Sequence, residues 1–159
     1  MTAGSDDKVD FCISLGATAG FNYHKEDWVS GIHAATDGHG VDVIVDFIGK
    51  SYAQGNFEAA ARDARIVQLA SLSGSKLEAG LDIGLLENKR LRWEGSRLRS
   101  RDLEYQKKLR DLLAEYLPRF IDGTFRVVIE REFSWKDIQK AHELMESNQS
   151  KGKIICNVD

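Results

Sequence analysis

The chain has 159 residues, 42% hydrophobic and 30% charged, with a formal net charge of −3. That length suits one domain of ordinary size, and the composition supports a packed core and argues against disorder. The negative balance excludes a global attraction to nucleic acid or an anionic membrane, and no run approaches the roughly 20 apolar residues of a membrane helix.

The first residues carry neither the basic start nor the apolar run of a signal peptide. Ser5 is placed to cap a helix holding Val9, Cys12 and Ile13, and Gly16 falls where its C-terminal glycine belongs. A short strand is expected within 19–22. Asp27 opens a second helix carrying Val29 and Ile32, which the Asp37-Gly38 turn ends. Val41 to Ile48 is the clearest strand, and its near-continuous β-branched character predicts burial on both faces, as in a parallel sheet. A helical stretch over 52–61 leads to a second apolar strand over 65–70, followed by the loop Ser71-Leu-Ser-Gly-Ser75. The second half continues with a helix over 81–89 and a strand over 91–95. Leu109, Leu112, Leu113, Tyr116, Leu117 and Phe120 then mark one face of a long helix, which Pro118 bends or ends. A strand is expected over 125–129. Ser134 to Asp137 has the spacing of a capping box, and Ile138, Ala141, His142 and Met145 share a helix face. A last strand covers 153–158. Cys12 and Cys156 sit in apolar patterns and read as buried thiols in a reducing, cytoplasmic setting.

Helices thus alternate with short apolar strands. The predicted fold class is α/β, a partial Rossmann-like, doubly wound, mostly parallel sheet with helices on both faces. In such sheets ligands lie beyond the carboxyl ends of the strands, here near Gly4, Asp46 to Gly49 and Ala70 to Gly74.

Five passages in order carry a resemblance: Thr2-Ala-Gly-Ser5 with Lys8; Leu15-Gly-Ala17 leading to Phe21-Asn-Tyr23; Asp46-Phe-Ile-Gly49; Leu98-Arg-Ser-Arg-Asp102; and Ala141-His142 with Gly152-Lys-Ile154. They are similar to the C-terminal half of the zinc-independent, zeta-crystallin-like quinone oxidoreductases of the medium-chain dehydrogenase/reductase superfamily. The resemblance implies that residues 1–159 are a partial nucleotide-binding domain. It implies that an N-terminal catalytic domain, the first strand and the G-x-G-x-x-G phosphate loop are absent, and with them the strand that joins the others into one sheet.

It also implies a cofactor site. Ser5 and Lys8 occupy positions near a 2′-phosphate, where a hydroxyl and a compact cation suit NADP(H) over NAD. Asp6 and Asp7 add negative charge beside them. Tyr23 matches a tyrosine stacked near the adenosine. Gly49 lets backbone approach a ligand, Ser71 and Gly74 follow the next strand along the nicotinamide ribose, Ser96 and Leu98 face the nicotinamide, and Asn148 closes the far side. Asp46 reads as a turn residue. No catalytic side chain and no metal spacing is evident among the four histidines, and the cofactor carries the chemistry.

Lys89, Arg90, Arg92, Arg97, Arg99 and Arg101 form a basic stretch around Trp93. It reads as a solvated edge, as the edge strand of a homodimer, or as a single-stranded RNA surface. The expectation is the nucleotide-binding part of an NADPH-dependent oxidoreductase of quinones or conjugated carbonyls, weakly active or inactive alone. A truncated dimerisation module and an RNA-binding module are the alternatives.

Overall fold

A computed structural model describes residues 1–77 and 80–158. The chain divides into two compact units, Met1–Arg101 and Asp102–Asp159. In the first, β1 (Thr2–Ala3) pairs in parallel with β2 (Phe21–Asn22), and β3 (Val41–Asp46), β4 (Ala60–Gln68) and β5 (Arg92–Gly95) form a second parallel ladder in that order. In the second, β6 (Ile129–Ser134) pairs in parallel with β7 (Lys153–Asn157). Every described pairing is parallel and helices link the strands, which is the predicted class. The described pairings fall into three ladders, with no described strand between β1 and β3 to join the first two, in keeping with the expected lack of a joining strand.

Local signals set the helices. α1 (Asp6–Ser14) starts where the Ser5 hydroxyl accepts from the Lys8 amide at 3.3 Å. It ends with Gly16 at φ 107°, the Ala17 amide on the Cys12 carbonyl at 3.1 Å and the Gly16 amide on Ile13 at 2.9 Å, a Schellman closure. α2 (Trp28–Ala35) starts at Asp27, whose carboxylate accepts from the amides of Val29 and Ser30. After α3 (Ala53–Ala59), the ammonium of Lys89 lies 2.6–3.0 Å from the carbonyls of Phe57, Glu58 and Ala60. It satisfies acceptors that a helix end leaves open, in a place where α4 (Gly84–Asn88) brings it. The core of this unit is Phe57, Ala60, Ala64, Ile66 and Leu91, with Ile44, Leu85 and Leu86 packed on it. Burying side chains the size of Phe57 or Ile66 contributes roughly 1.5–3 kcal/mol each.

The structure corrects several expectations. β3 is not buried on both faces: Val43 is 62% and Val45 58% exposed. Side chains alternate along a strand, so Ile44 meets the core while Val41, Val43 and Val45 line a slot of about 410 Å³ that Met1, Thr2 and Trp28 also line. The long helix breaks into α5 (Leu103–Ala114) and α6 (Leu117–Ile121), with Pro118 in the first turn of α6. The strand expected at 125–129 begins only at Ile129, because the Phe125 amide closes a turn on the Arg119 carbonyl at 2.7 Å and its ring stacks on Tyr116. The helix of 81–89 shortens to α4, since the Asp82 carboxylate takes the Gly84 amide in a turn. Ser134 caps a 3-10 turn (Trp135–Asp137), but Asp137 pairs with Lys140 at 2.8 Å instead of reaching back, so no capping box forms. Of the predicted face of α7 (Ile138–Glu146), only Ala141 is buried, and His142 is exposed. Cys12 and Cys156 are free and half-buried.

Candidate functional site

The carboxyl ends of the first unit's strands bring most of the predicted residues into two groups. At β1 and β2, Ser5 caps α1 and Tyr23 follows β2, packed over Gly4: a Cβ on Gly4 would lie 2.7 Å from the tyrosine oxygen. The Ser5 hydroxyl accepts from the Lys8 amide, and a hydroxyl in that role can still donate its own proton. Lys8 lies in the first turn of α1, half-exposed. The adjacent Asp6 is committed elsewhere: Asn22 donates to it at 2.5 Å and Lys25 pairs with it at 2.5 Å. The Asn22 amide, then the Lys25 ammonium, hold its carboxyl below the usual range. Its negative charge is thereby partly offset beside Ser5.

At β3, β4 and β5 the second group forms. Asp46 is 3% exposed and accepts from the amides of Ile48 and Gly49 and from the side-chain amide of Asn56 at 2.9 Å. It holds the turn that follows β3, the role expected for it. That turn sets Gly49 at φ 87°, ψ −123°, open in practice only to glycine. The loop after β4 folds back over this turn. The Leu69 amide donates to Asp46, Leu72 to Phe47, Ser73 to Ile48 and Lys50 to Gly74, all carbonyl acceptors at 2.7–3.1 Å. Gly49, Ser71 and Gly74 are thus in mutual contact. The Ser96 amide donates to the Gln68 carbonyl at 2.9 Å, which carries Ser96 to the same end of the sheet. Ser71 and Ser96 line one cavity of about 430 Å³; Leu98, in a 3-10 turn (Leu98–Ser100), lies beside it with its side chain 56% exposed.

Tyr52 links the two groups and was not singled out in the sequence. Its hydroxyl donates to the Thr2 hydroxyl at 3.2 Å, its ring stands edge-on to Tyr23 at 6.2 Å, and it stacks on Trp28 at 5.0 Å. Burial pushes its phenol pKa up. The only local cue was its place three residues after Gly49. Asn148 is not part of either group: it belongs to the second unit, at the end of α7 with φ 55°.

The basic stretch is divided in its roles. Lys89 caps α3, Arg90 makes a two-point pair with Asp63, and Arg65 of β4 pairs with Glu94 at 3.5 Å. Arg97 and Arg101 instead line the cavity beside Ser71 and Ser96.

The family described as zinc-binding dehydrogenase matches residues 15–156. Quinone oxidoreductase 1 of Escherichia coli (strain K12) is 24% identical over 156 residues, covering 97% of this chain and 47% of the relative. Among solved structures, an NAD-dependent alcohol dehydrogenase superposes with a TM-score of 0.80 at 27% identity, over 99% of this chain and 43% of that one. The Escherichia coli quinone oxidoreductase complexed with NADPH superposes with a TM-score of 0.77 at 24% identity, over 97% of this chain and 48% of that one. The chain therefore spans about half the length of these relatives. Among the described residues no three His, Cys, Asp or Glu side chains converge as a metal site.

Proposed function

The chain belongs to the zinc-binding dehydrogenase family, and on that premise we propose that it is the nucleotide-binding portion of an NADPH-dependent quinone oxidoreductase. One observation carries the reading: Ser5, Tyr23, Gly49, Ser71, Gly74 and Ser96 all gather at the carboxyl ends of parallel strands, where such sheets hold nucleotides. The NADPH bound by the Escherichia coli relative supports the choice of cofactor.

In this reading Ser5 and Lys8 hold the 2′-phosphate, Tyr23 covers the adenosine, and the Gly49–Gly74 contact gives the backbone its close approach to the ribose. Ser71, Ser96 and Leu98 face the nicotinamide. NADPH supplies the hydride; these residues bind and orient it toward a quinone or conjugated carbonyl, without zinc. A strand and glycine-rich loop outside these residues complete the pyrophosphate cradle, and the slot between β1 and β3 is open to such a strand. Alone, the chain binds NADPH weakly and turns over little. The edge of β5, which among the described residues pairs only with β4, favours a homodimer, and a cytoplasmic location follows from the same reading.

Calorimetric titration of NADPH and NADH tests the assignment. NADPH is expected to bind more tightly, and Lys8→Ala to reduce that preference by about ten- to a hundredfold, the value of one charge-assisted phosphate contact. No heat with NADPH, either from this chain or from a full-length protein carrying it, removes the reading.

A further inference from the structure

We propose that Tyr52 is a positioning residue for the adenosine side of the nucleotide site: it holds the Tyr23 ring in the orientation that meets the base, and so governs affinity for the adenosine half of the cofactor and not for its nicotinamide half. The inference rests on the functional reading above and adds a residue to the same site. Tyr23 follows β2, and its amide donates to the Ala3 carbonyl at 3.2 Å, so its backbone is tied to β1. Its ring is less constrained, being 37% exposed. The ring lies over Gly4 and is tilted 54° against the His24 imidazole at 4.4 Å. The Tyr52 ring meets it from another direction, at 83° and 6.2 Å. That is the edge-to-face arrangement aromatic pairs prefer, and it sets direction as well as distance.

Tyr52 can hold a neighbour in place because it is itself held. Its ring stacks on Trp28 at 5.0 Å with the planes 15° apart. The indole in turn lies directly on the Gly55 backbone of α3, where a Cβ would collide with it. The Tyr52 hydroxyl donates to the Thr2 hydroxyl at 3.2 Å, which ties the ring to β1, the strand that leads to Gly4 and Ser5. The backbone of the same turn is fixed by bonds that do not involve the ring. The Tyr52 amide donates to the Gly49 carbonyl at 2.9 Å, the Lys50 amide to the Gly74 carbonyl at 3.1 Å and the Ser51 amide to the Ser73 hydroxyl at 3.1 Å. Removing the ring therefore frees Tyr23 and leaves the contact between Gly49 and Gly74 standing. A ring that must stack on a base binds less tightly when it can turn, because the lost order has to be supplied on binding.

Adenosine 2′,5′-bisphosphate and nicotinamide mononucleotide stand for the two halves of the cofactor. Each is titrated into the chain and its variants, with binding followed by amide chemical shifts. Tyr52→Leu is expected to weaken the adenosine compound about three- to tenfold, the value of one edge-to-face pair, and to leave the mononucleotide within about twofold. Tyr52→Phe keeps the ring and is expected to stay within about twofold of the unchanged chain for both. The double variant Tyr23→Leu/Tyr52→Leu is expected to bind the adenosine compound no more weakly than Tyr23→Leu alone, a non-additivity that general loosening of the fold does not produce. Tyr52→Met fills the space without a flat ring; it is expected to show the same loss as Tyr52→Leu, and it decides the matter if that variant does not fold. Unchanged adenosine binding in both variants, an equal loss of the mononucleotide, or additive losses in the double variant overturns the proposal and leaves the functional reading in place. Failure of the unaltered protein to bind the adenosine compound or NADPH, as this chain and as a full-length protein carrying it, removes both.

Discussion

Gly49→Ala probes the contact on which the second group of site residues depends. The backbone there sits at φ 87°, ψ −123°, a region costing a residue with a Cβ about 1–3 kcal/mol. Space adds to that strain. An alanine Cβ would lie 2.9 Å from the Ser71 Cα and 3.0 Å from the Gly74 carbonyl oxygen. Both are backbone atoms, so no side chain can swing aside and the 71–74 loop must move, at a further cost of about 1–3 kcal/mol. The expected destabilisation is about 2–6 kcal/mol, a large share of an ordinary domain's 5–15 kcal/mol. Gly16→Ala is the matched control, because Gly16 has φ 107° with nothing within 4 Å of the added carbon. It carries backbone strain alone, about 1–2 kcal/mol. Urea unfolding of both variants measures the difference, and hydrogen exchange at Leu72 and Ser73 reports whether the loop has lost its bonds to Phe47 and Ile48. If the two variants lie within about 0.5 kcal/mol of each other, the close approach has no energetic role and the argument fails.

Asp46→Ala leaves two turn amides and the buried Asn56 amide without their acceptor, so a loss of about 3 kcal/mol is expected in urea titrations, against well under 1 kcal/mol if the turn holds itself. Lys89→Met removes the cation from three carbonyls at the end of α3; chemical denaturation should show a loss of about 1.5–3 kcal/mol, and a neutral result would mean water replaces it freely. Asp27→Asn tests acid sensitivity. The Ser30 hydroxyl, then the Ser30 and Val29 amides, hold the Asp27 carboxyl below its ordinary 3.8. Its stabilisation is complete above the unfolded pKa and is lost as pH falls through the lower folded value. The variant should therefore be less stable by a constant amount across pH 5–8 and lose less of its remaining stability below about pH 4. An identical acid limb in both proteins would contradict this.

What the sequence made legible were features decided within a few residues. Ser5 and Asp27 cap helices because a short oxygen-bearing side chain reaches amides two or three positions on. Gly16 ends α1 for an equally local reason, and β3 and β7 announced themselves by apolar runs. Features decided at a distance were not legible. The exposure of Val43 and Val45 depends on what stands beside β3, which no pattern within 41–48 records. Phe125 joins a ring cluster with Tyr116 and Phe120 rather than a strand, a choice made by aromatic packing over β propensity. Lys89 reaches carbonyls about thirty positions away, so it was grouped with a surface charge run. The strand-end rule singled out Gly49 and Ser71, which lie in contact, whereas Tyr52 gained its bridging position only from the packing of Trp28 and Thr2 around it.

The open slot between β1 and β3 ties the first unit's stability to mass action. A strand that entered it in the folded state alone would raise stability by RT ln(1 + [L]/Kd), about 2.7 kcal/mol at a hundred times Kd. Covalent attachment would place that strand at an effective concentration in the millimolar range, so even a poor fit would stay seated. The melting temperature of the unit then becomes a gauge of whether Val43 and Val45 are covered. Because Ser5 follows β1 and Gly49 follows β3, occupancy of the slot would also fix the spacing between the two groups of residues at these strand ends.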